Sequence, residues 1–265
     1  MHLDEIVARK RELWNHTTGV PEVGGERVRP AVAGTFAAAL RGPHISVIAE
    51  VKPKSPSKGD LLPLDRAVST ARGYAAAGAA AVSVLADAPF FGGSPDLVAQ
   101  IAADPEVTVP VLYKDFLVDV RQVHLAHRAG ADAVLLIVRA VDDPLLVDLV
   151  QAAAALGLDA LVETFTEDEI ERALTAGARI VGVNNRDLQT FSVDLDNSAR
   201  LRGLIPADVA TVSESGIGGR TDLARVAGHG FDACLIGETL LTASRPGDAL
   251  RDLLGVPVLR PEAAL

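Results

Sequence analysis

Aromatic residues and sulfur are nearly missing from this 265-residue chain, which is 4% Phe, Trp and Tyr and holds one Cys and one Met. So few rings leave little on which nucleobases can stack. The formal net charge of -10 acts in the same direction, because its summed field repels polyanions. No nucleic-acid partner is expected. The lone Cys234 has no second thiol for an internal disulfide, and Ala233-Cys234-Leu235-Ile236 reads as a buried run holding a small hydrophobe. No apolar run is long enough to span a bilayer, and Met1-His2-Leu3-Asp4-Glu5 lacks the basic-then-apolar order of a signal peptide. The expectation is a cytoplasmic monomer with no membrane partner. His124 and His127 lie three apart on a helix without a third ligand, and neither a Walker loop nor a dinucleotide fingerprint is present. Neither metal nor cofactor is expected.

What the chain has in abundance is short apolar runs alternating with Ala-rich stretches. Strands are expected at Ile45–Lys52, Ala81–Ala86, Val109–Lys114, Ala133–Val138, Ala160–Glu163, Ile180–Asn184, Val209–Ser213 and Ala233–Ile236. Helical composition follows each in turn, at Asp65–Ala77, Pro95–Ala103, Val120–Ala129, Pro144–Leu156, Glu167–Ala176, Asn197–Leu201, Arg220–Ala227 and Gly247–Leu253. Several strands are apolar on both faces, the mark of a parallel sheet covered all round. Gly78, Gly130, Gly177 and Gly230 each close a helix before a strand, as left-handed caps do.

No linker interrupts the alternation, so 1–265 reads as one domain. Eight βα pairs in this length predict a single (β/α)8 TIM barrel rather than a doubly wound sheet. Residues 1–43 precede the first strand as a helical extension. Ile6, Leu13 and Trp14 have helical spacing over Leu3–Trp14, and a second helix is expected at Ala31–Leu40. Such helices could plug the barrel's bottom or cover its top, and the sequence leaves both open.

Barrels of this kind carry chemistry at the C-terminal ends of their strands. Those ends hold Glu50 and Lys52, Asp87, Lys114-Asp115, Arg139, Glu163, Asn184-Asn185-Arg186, Ser213-Glu214-Ser215-Gly216 and Gly237-Glu238. Lysines and glutamates converging on one mouth have the composition of an acid–base site. Gly-rich loops follow the seventh and eighth strands, at Ser215-Gly216-Ile217-Gly218-Gly219 and Ile236-Gly237-Glu238-Thr239-Leu240. Glycines let backbone N–H groups approach an anion, and a short helix opening there adds its N-terminus. A small anionic phosphate compound is the expected partner, held at Gly216, Gly237 and Glu238.

These motifs, in this order, resemble the indole-3-glycerol phosphate synthase family of tryptophan biosynthesis. The run Glu50-Val51-Lys52-Pro53-Lys54-Ser55-Pro56-Ser57 is similar to its Glu-x-Lys-x-x-Ser-Pro-Ser signature. Tyr113-Lys114-Asp115-Phe116, Leu161-Val162-Glu163, Gly182-Val183-Asn184-Asn185-Arg186-Asp187-Leu188 and Ser213-Glu214-Ser215-Gly216-Ile217 match its later motifs, and the likeness runs from about Leu3 to Leu254.

The resemblance implies a carboxy-lyase that needs no cofactor. It would close a ring on 1-(2-carboxyphenylamino)-1-deoxyribulose 5-phosphate, a sugar phosphate, and release CO₂ and water to give indole-3-glycerol phosphate. By carry-over Lys114 is the general acid. Lys52 holds the anthranilate carboxylate or is itself an acid. Glu163 would be the base or the cation stabiliser in dehydration with help from Glu50, and Asn184 and Ser215 would orient substrate hydroxyl groups. Arg186 would contact substrate oxygens and Ser55 the phosphate. Phe91, Phe116, Leu136 and Leu188 would wall the benzoid ring.

An ammonium set among other cations is expected to have a lowered pKa. Pro53 departs from the basic or polar residue usual after the lysine, and removes a backbone donor from the loop. Two other readings remain: another phosphate-binding barrel enzyme, such as a phosphoribosylanthranilate isomerase relative or an aldolase-type lyase with a Schiff-base lysine, and a binder of phosphorylated ligands without activity.

Overall fold

Runs that are apolar on both faces can hide both only inside a closed, helix-covered sheet, and this is the architecture found. The computed structural model describes residues 3–23, 31–56, 58–187, 190 and 192–259. Among the described residues, eight parallel strands close a barrel: β1 Ser46–Val51, β2 Ala81–Leu85, β3 Val111–Lys114, β4 Ala133–Ile137, β5 Asp159–Thr164, β6 Ile180–Asn184, β7 Ala210–Glu214 and β8 Ala233–Ile236. Neighbours in sequence are neighbours in the sheet, and closure sets Ser46 beside Ala233 and Ile48 beside Leu235. Every residue of β2, β4, β6, β7 and β8 is buried.

Helices α1 Leu3–His16 and α2 Thr35–Leu40 precede the barrel. Around and between the strands run α3 Ala67–Ala77, α4 Ala88–Phe91, α5 Pro95–Ala103, α6 Val120–Arg128, α7 Asp143–Ala155, α8 Glu167–Thr175, α9 Asp196–Leu201, α10 Arg220–Gly228, α11 Glu238–Leu241 and α12 Pro246–Leu253. All eight expected strands and the helix after each are present. Gly78, Gly130, Gly177 and Gly230 have φ of 98°, 79°, 89° and 83°, the left-handed geometry their caps require. Among the described residues no helix is long and apolar enough to cross a membrane.

The two extension helices divide the roles left open by the sequence. Helix α2 closes the bottom. The Asp159 carboxylate, at the start of β5, accepts from Gly34 N at 2.9 Å and Ala37 N at 3.0 Å, which anchors the N-terminus of α2. Phe36 and Leu40 are fully buried there, each worth about 1.5–3 kcal/mol by area. The helix begins at Thr35 rather than Ala31, because Gly34 sits at φ 85° and ends any helix running through it.

Helix α1 lies across the top. Its Lys10 Nζ is 2.9 Å from Asp87 Oδ1 after β2 and 2.5 Å from Asp115 Oδ1 after β3. Arg11 donates to the Ala140 carbonyl after β4 at 3.1 Å. The Arg121 guanidinium of α6 stacks 5.4 Å from the Trp14 ring and donates to the Trp14 carbonyl. These contacts aim the first turn of α1, with Leu3 and Ile6, over the barrel mouth.

Candidate active site

Side chains alternate along a strand, so the residue at one strand end fixes which neighbours share its face. Ser83 on β2 is in register with Glu50, Leu85 with Lys114, Ile137 with Glu163, and Glu163 with Gly182. This shared face is the barrel interior. At its top it opens into a cleft of about 460 Å³ that brings together Glu50, Lys52, Lys114, Glu163, Asn184, Arg186, Ser215, Gly216, Gly237 and Glu238. Ser55, Phe91 and Phe116 line the same cleft.

Lys114 is its electrostatic centre. Its Nζ lies 3.2 Å from Glu214 Oε2 and 4.0 Å from Glu50 Oε2, with the side chain 17% exposed. Burial pulls the ammonium pKa down, but Glu214, Glu50 and Glu163 outweigh it and hold the group above its ordinary value. The expectation of a lowered lysine pKa is therefore overturned: the neighbours of Lys114 are carboxylates, not cations. Glu50 is buried, which would raise its carboxyl. Lys52, hydrogen-bonded to Oε1, and Lys114 outweigh that and leave it below the usual range. Glu214 goes the other way. Burial, against the pull of Lys114 and aided by Glu163 and Glu50, pushes it up to about 7.

Opposite this group, Asn184 donates from Nδ2 to Glu163 Oε1 at 3.0 Å and accepts the Arg186 N–H at Oδ1, 2.9 Å. The Asn184 amide thus orients the Glu163 carboxylate on one side and the start of the following loop on the other. Asn185, fully turned away from the cleft, braces the strand ends. It donates to Ser213 Oγ, Glu214 O and Ser215 O at 2.9, 3.0 and 3.1 Å, and accepts from Ser198. That brace holds Ser215 at φ 66°, the one positive φ outside glycine among the described residues.

The two glycine loops lie across the cleft. Gly216 follows Ser215 at φ 82°, and a Cβ on it would strike Val193. The Gly218 N–H is taken by Asp222 Oδ2 at 2.9 Å, and Gly216, Gly237 and Glu238 line the cleft beside it. Thr239 Oγ1 donates to the Ile217 carbonyl at 2.5 Å and ties the two loops together. Lys58 reaches Glu238 at 3.3 Å and draws the β1 loop toward them. That loop folds as a short ribbon, Lys54–Ser55 against Gly59–Asp60. Pro53 is buried at its base, and its carbonyl accepts from Leu61 N at 2.8 Å and Leu62 N at 2.9 Å. These backbone bonds fix the root of the loop, and the proline ring restricts φ at the same position.

The apolar wall needs one correction. Leu136 is not in it: Leu135 and Ile137 line the cleft, whereas Leu136 is fully buried against the outer helices. Ile137 pairs with inward-facing Glu163, so alternation turns Leu136 outward. Leu188 lies outside the described residues. Phe91 and Phe116 face each other at 5.9 Å between ring centroids. Asp87 holds Phe91 in place by accepting the Phe90 and Phe91 N–H groups at 2.7 and 3.1 Å.

Sequence reasoning named Glu214 among the strand-end residues but gave it no role, and gave none to Lys10, Leu3 and Ile6. The role of Glu214 could have been read, since it continues the inward alternation of β7 one residue beyond the expected strand end. The others come from a helix whose placement no local pattern records. Among the described residues no group of three His, Cys, Asp or Glu could hold a metal ion.

Comparison with known proteins agrees with this geometry. Solved structures sharing the fold include 3-hexulose-6-phosphate synthase from Salmonella typhimurium, with TM-score 0.65 at 16% identity over 79% of this chain and 96% of that one. N-acetylmannosamine-6-phosphate 2-epimerase from Clostridium perfringens gives 0.60 at 17%, over 76% and 89%. At such identities the likeness is one of fold alone. Sequence relatives are far nearer. Indole-3-glycerol phosphate synthase 2 of Streptomyces coelicolor is 48% identical over 223 residues, 84% of this chain and 86% of that protein. An indole-3-glycerol phosphate synthase of a Mycobacterium species (strain KMS) is 46% identical over 217 residues, 82% and 79% of the two chains. The profile of the indole-3-glycerol phosphate synthase family matches residues 3–253, from the first turn of α1 to the end of α12, and the chain belongs to that family.

Proposed function

We propose that this mouth converts 1-(2-carboxyphenylamino)-1-deoxyribulose 5-phosphate to indole-3-glycerol phosphate, CO₂ and water. The observation that carries the reading is the Lys114 ammonium, held charged among carboxylates at the centre of a cleft with an apolar wall on one side and glycine loops on the other.

Attack of the aromatic carbon on the ribulose carbonyl needs a proton at the carbonyl oxygen, and Lys114 is the donor best placed to give it. Lys52 faces the anthranilate carboxylate, which leaves as CO₂ beside Phe91, Phe116 and Leu135. Release of the new hydroxyl as water passes through a cationic intermediate. Glu163, oriented by Asn184, stabilises that cation and takes the last proton, with Glu50 assisting. Arg186 and Ser215 contact substrate oxygens, and Ser55, Gly216, Gly237 and Glu238 the phosphate. The Schiff-base alternative requires an uncharged lysine, and the carboxylates around Lys114 oppose that state.

The same reading takes the chain as one domain working as a cytoplasmic monomer on a small phosphorylated substrate. Light scattering during gel filtration tests the monomer. The activity test is appearance of indoleglycerol fluorescence from the carboxyphenylamino substrate. Lys114→Ala should lower turnover by about 10²–10⁴-fold with affinity comparatively intact. A wild type with no product above that variant refutes the assignment.

A further inference from the structure

Two glycines on the inner face of the barrel stand out for what lies against them. Gly182 lies within β6 and Gly237 directly after β8, and neither has a positive φ. Glycine inside a strand gives up side-chain packing, and it commonly marks a place where another group must come close. Here that group can be named. A Cβ on Gly182 would overlap Glu214 Oε1, and a Cβ on Gly237 would overlap Glu50 Oε1, both inside the 3.0 Å that real Cβ atoms essentially never breach. Glu214 and Glu50 are the two carboxylates within 4.0 Å of Lys114 Nζ.

Glu214 Oε1 is buried and makes no hydrogen bond, while Oε2 faces Lys114. No polar partner draws Oε1 into that position. The empty volume over Gly182 admits it. We propose that Gly182 and Gly237 are positioning residues, whose missing side chains form cradles that seat the Glu214 and Glu50 carboxylates low in the barrel on either side of Lys114. An added methyl group at 182 forces the Glu214 side chain upward, toward the substrate and away from its seat against Lys114. Groups facing Glu214 from the surrounding strands are Lys114, Glu163 and Glu50, so the displaced carboxylate moves within a fixed set of charges.

This inference rests on the assignment of Lys114 as the acid, and the test separates the two. In the fluorescence assay Gly182→Ala should lower kcat by about 10²-fold, the scale of a roughly 1 Å misplacement, with KM within about threefold of wild type. Glu214→Asp shortens the side chain by one methylene and withdraws it from the new Cβ. The double variant Gly182→Ala/Glu214→Asp should therefore be no slower than Gly182→Ala alone, although Glu214→Asp impairs the wild-type background. Multiplicative losses, or a Gly182→Ala enzyme with wild-type kcat, overturn the proposal.

The same cycle read by urea unfolding needs no activity. If the wild type makes no product, coupling between positions 182 and 214 in stability still supports the cradle, and its absence still refutes it. If Gly182→Ala alone does not fold, recovery of folding in Gly182→Ala/Glu214→Ala supports the proposal, and failure to recover counts against it.

Discussion

Replacing Lys10 with Met should detach the top of the barrel from its helix, and the size of the effect follows from burial. The Lys10 Nζ sits 2.9 Å from Asp87 Oδ1 and 2.5 Å from Asp115 Oδ1, and the three side chains are 5%, 0% and 6% exposed. Methionine keeps the length of the stem, so the change is chiefly loss of the charge. It leaves two carboxylates facing each other out of water. Removing one member of a buried ion pair typically costs about 3–5 kcal/mol, and the remaining backbone donors, Phe116 N–H to Asp115 and Phe90 and Phe91 N–H to Asp87, offset only part of it. Burial already raises the Asp115 carboxyl against the pull of Lys10, and Asp87 adds to the rise. Without Lys10 that carboxyl climbs further.

The pH dependence gives the test its edge. In the variant, native Asp115 binds protons more tightly than the unfolded chain does above its ordinary value of 3.8, so stability falls as pH rises through the window up to the raised native pKa. The contribution of Lys10 in the wild type is fully present below 10.5 and is lost only as pH climbs through its own raised value. The gap between variant and wild type is therefore widest near pH 8 and narrows toward pH 5. Urea unfolding at both pH values measures it, and amide exchange in α1 reports whether the helix opens alone. A loss under about 1 kcal/mol at pH 8, or one that does not shrink on acidification, refutes the ion-pair reasoning.

Glu214→Gln should remove an acid limb near pH 7 from the kcat/KM profile, since that carboxyl titrates at about 7 and its charged form faces Lys114. Persistence of the limb in the variant would assign it elsewhere. Leu135→Ala and Leu136→Ala should each cost about 2–5 kcal/mol in unfolding experiments, but only the former should raise KM, because it alone lines the cleft. Ser215→Gly should raise stability by roughly 1 kcal/mol by relieving a left-handed non-glycine residue, while lowering kcat through the lost hydroxyl. Thermal unfolding and the fluorescence assay together check it.

The eight strands were legible because each is a short, mainly apolar run closed by polar residues, a pattern that owes nothing to distant contacts. The polar lining of the cleft was legible for a related reason: Glu50, Lys114, Glu163 and Asn184 sit where apolar runs stop. Leu136 was misassigned because in a strand buried on both faces every residue is apolar, so composition carries no parity. Only the pairing of Ile137 with Glu163 sets which leucine looks inward. Lys10 was illegible because its partners are 77 and 105 positions away, and a lysine on an amphipathic helix looks like any solvated charge until both aspartates are placed beside it.

The Glu50–Lys52 strand end reads in the sequence as a receiver of anions, and its surroundings change that reading. Glu50, Glu163 and Glu214 outnumber Lys52 and Lys114 at the bottom of the cleft, and both ammonium groups are engaged with carboxylates. A site so neutralised, in a chain of net charge -10, attracts no dianion by its side chains there. On the proposed assignment attraction falls instead to backbone amides at Gly216, Gly237 and Glu238, whose dipoles cannot be titrated away and cost no buried charge. On that same assignment the mouth keeps proton transfer on the barrel axis and phosphate recognition at its rim. Neutral carboxylate–ammonium pairs at the centre leave Lys114 charged and available to donate, rather than bound to the phosphate it would otherwise attract.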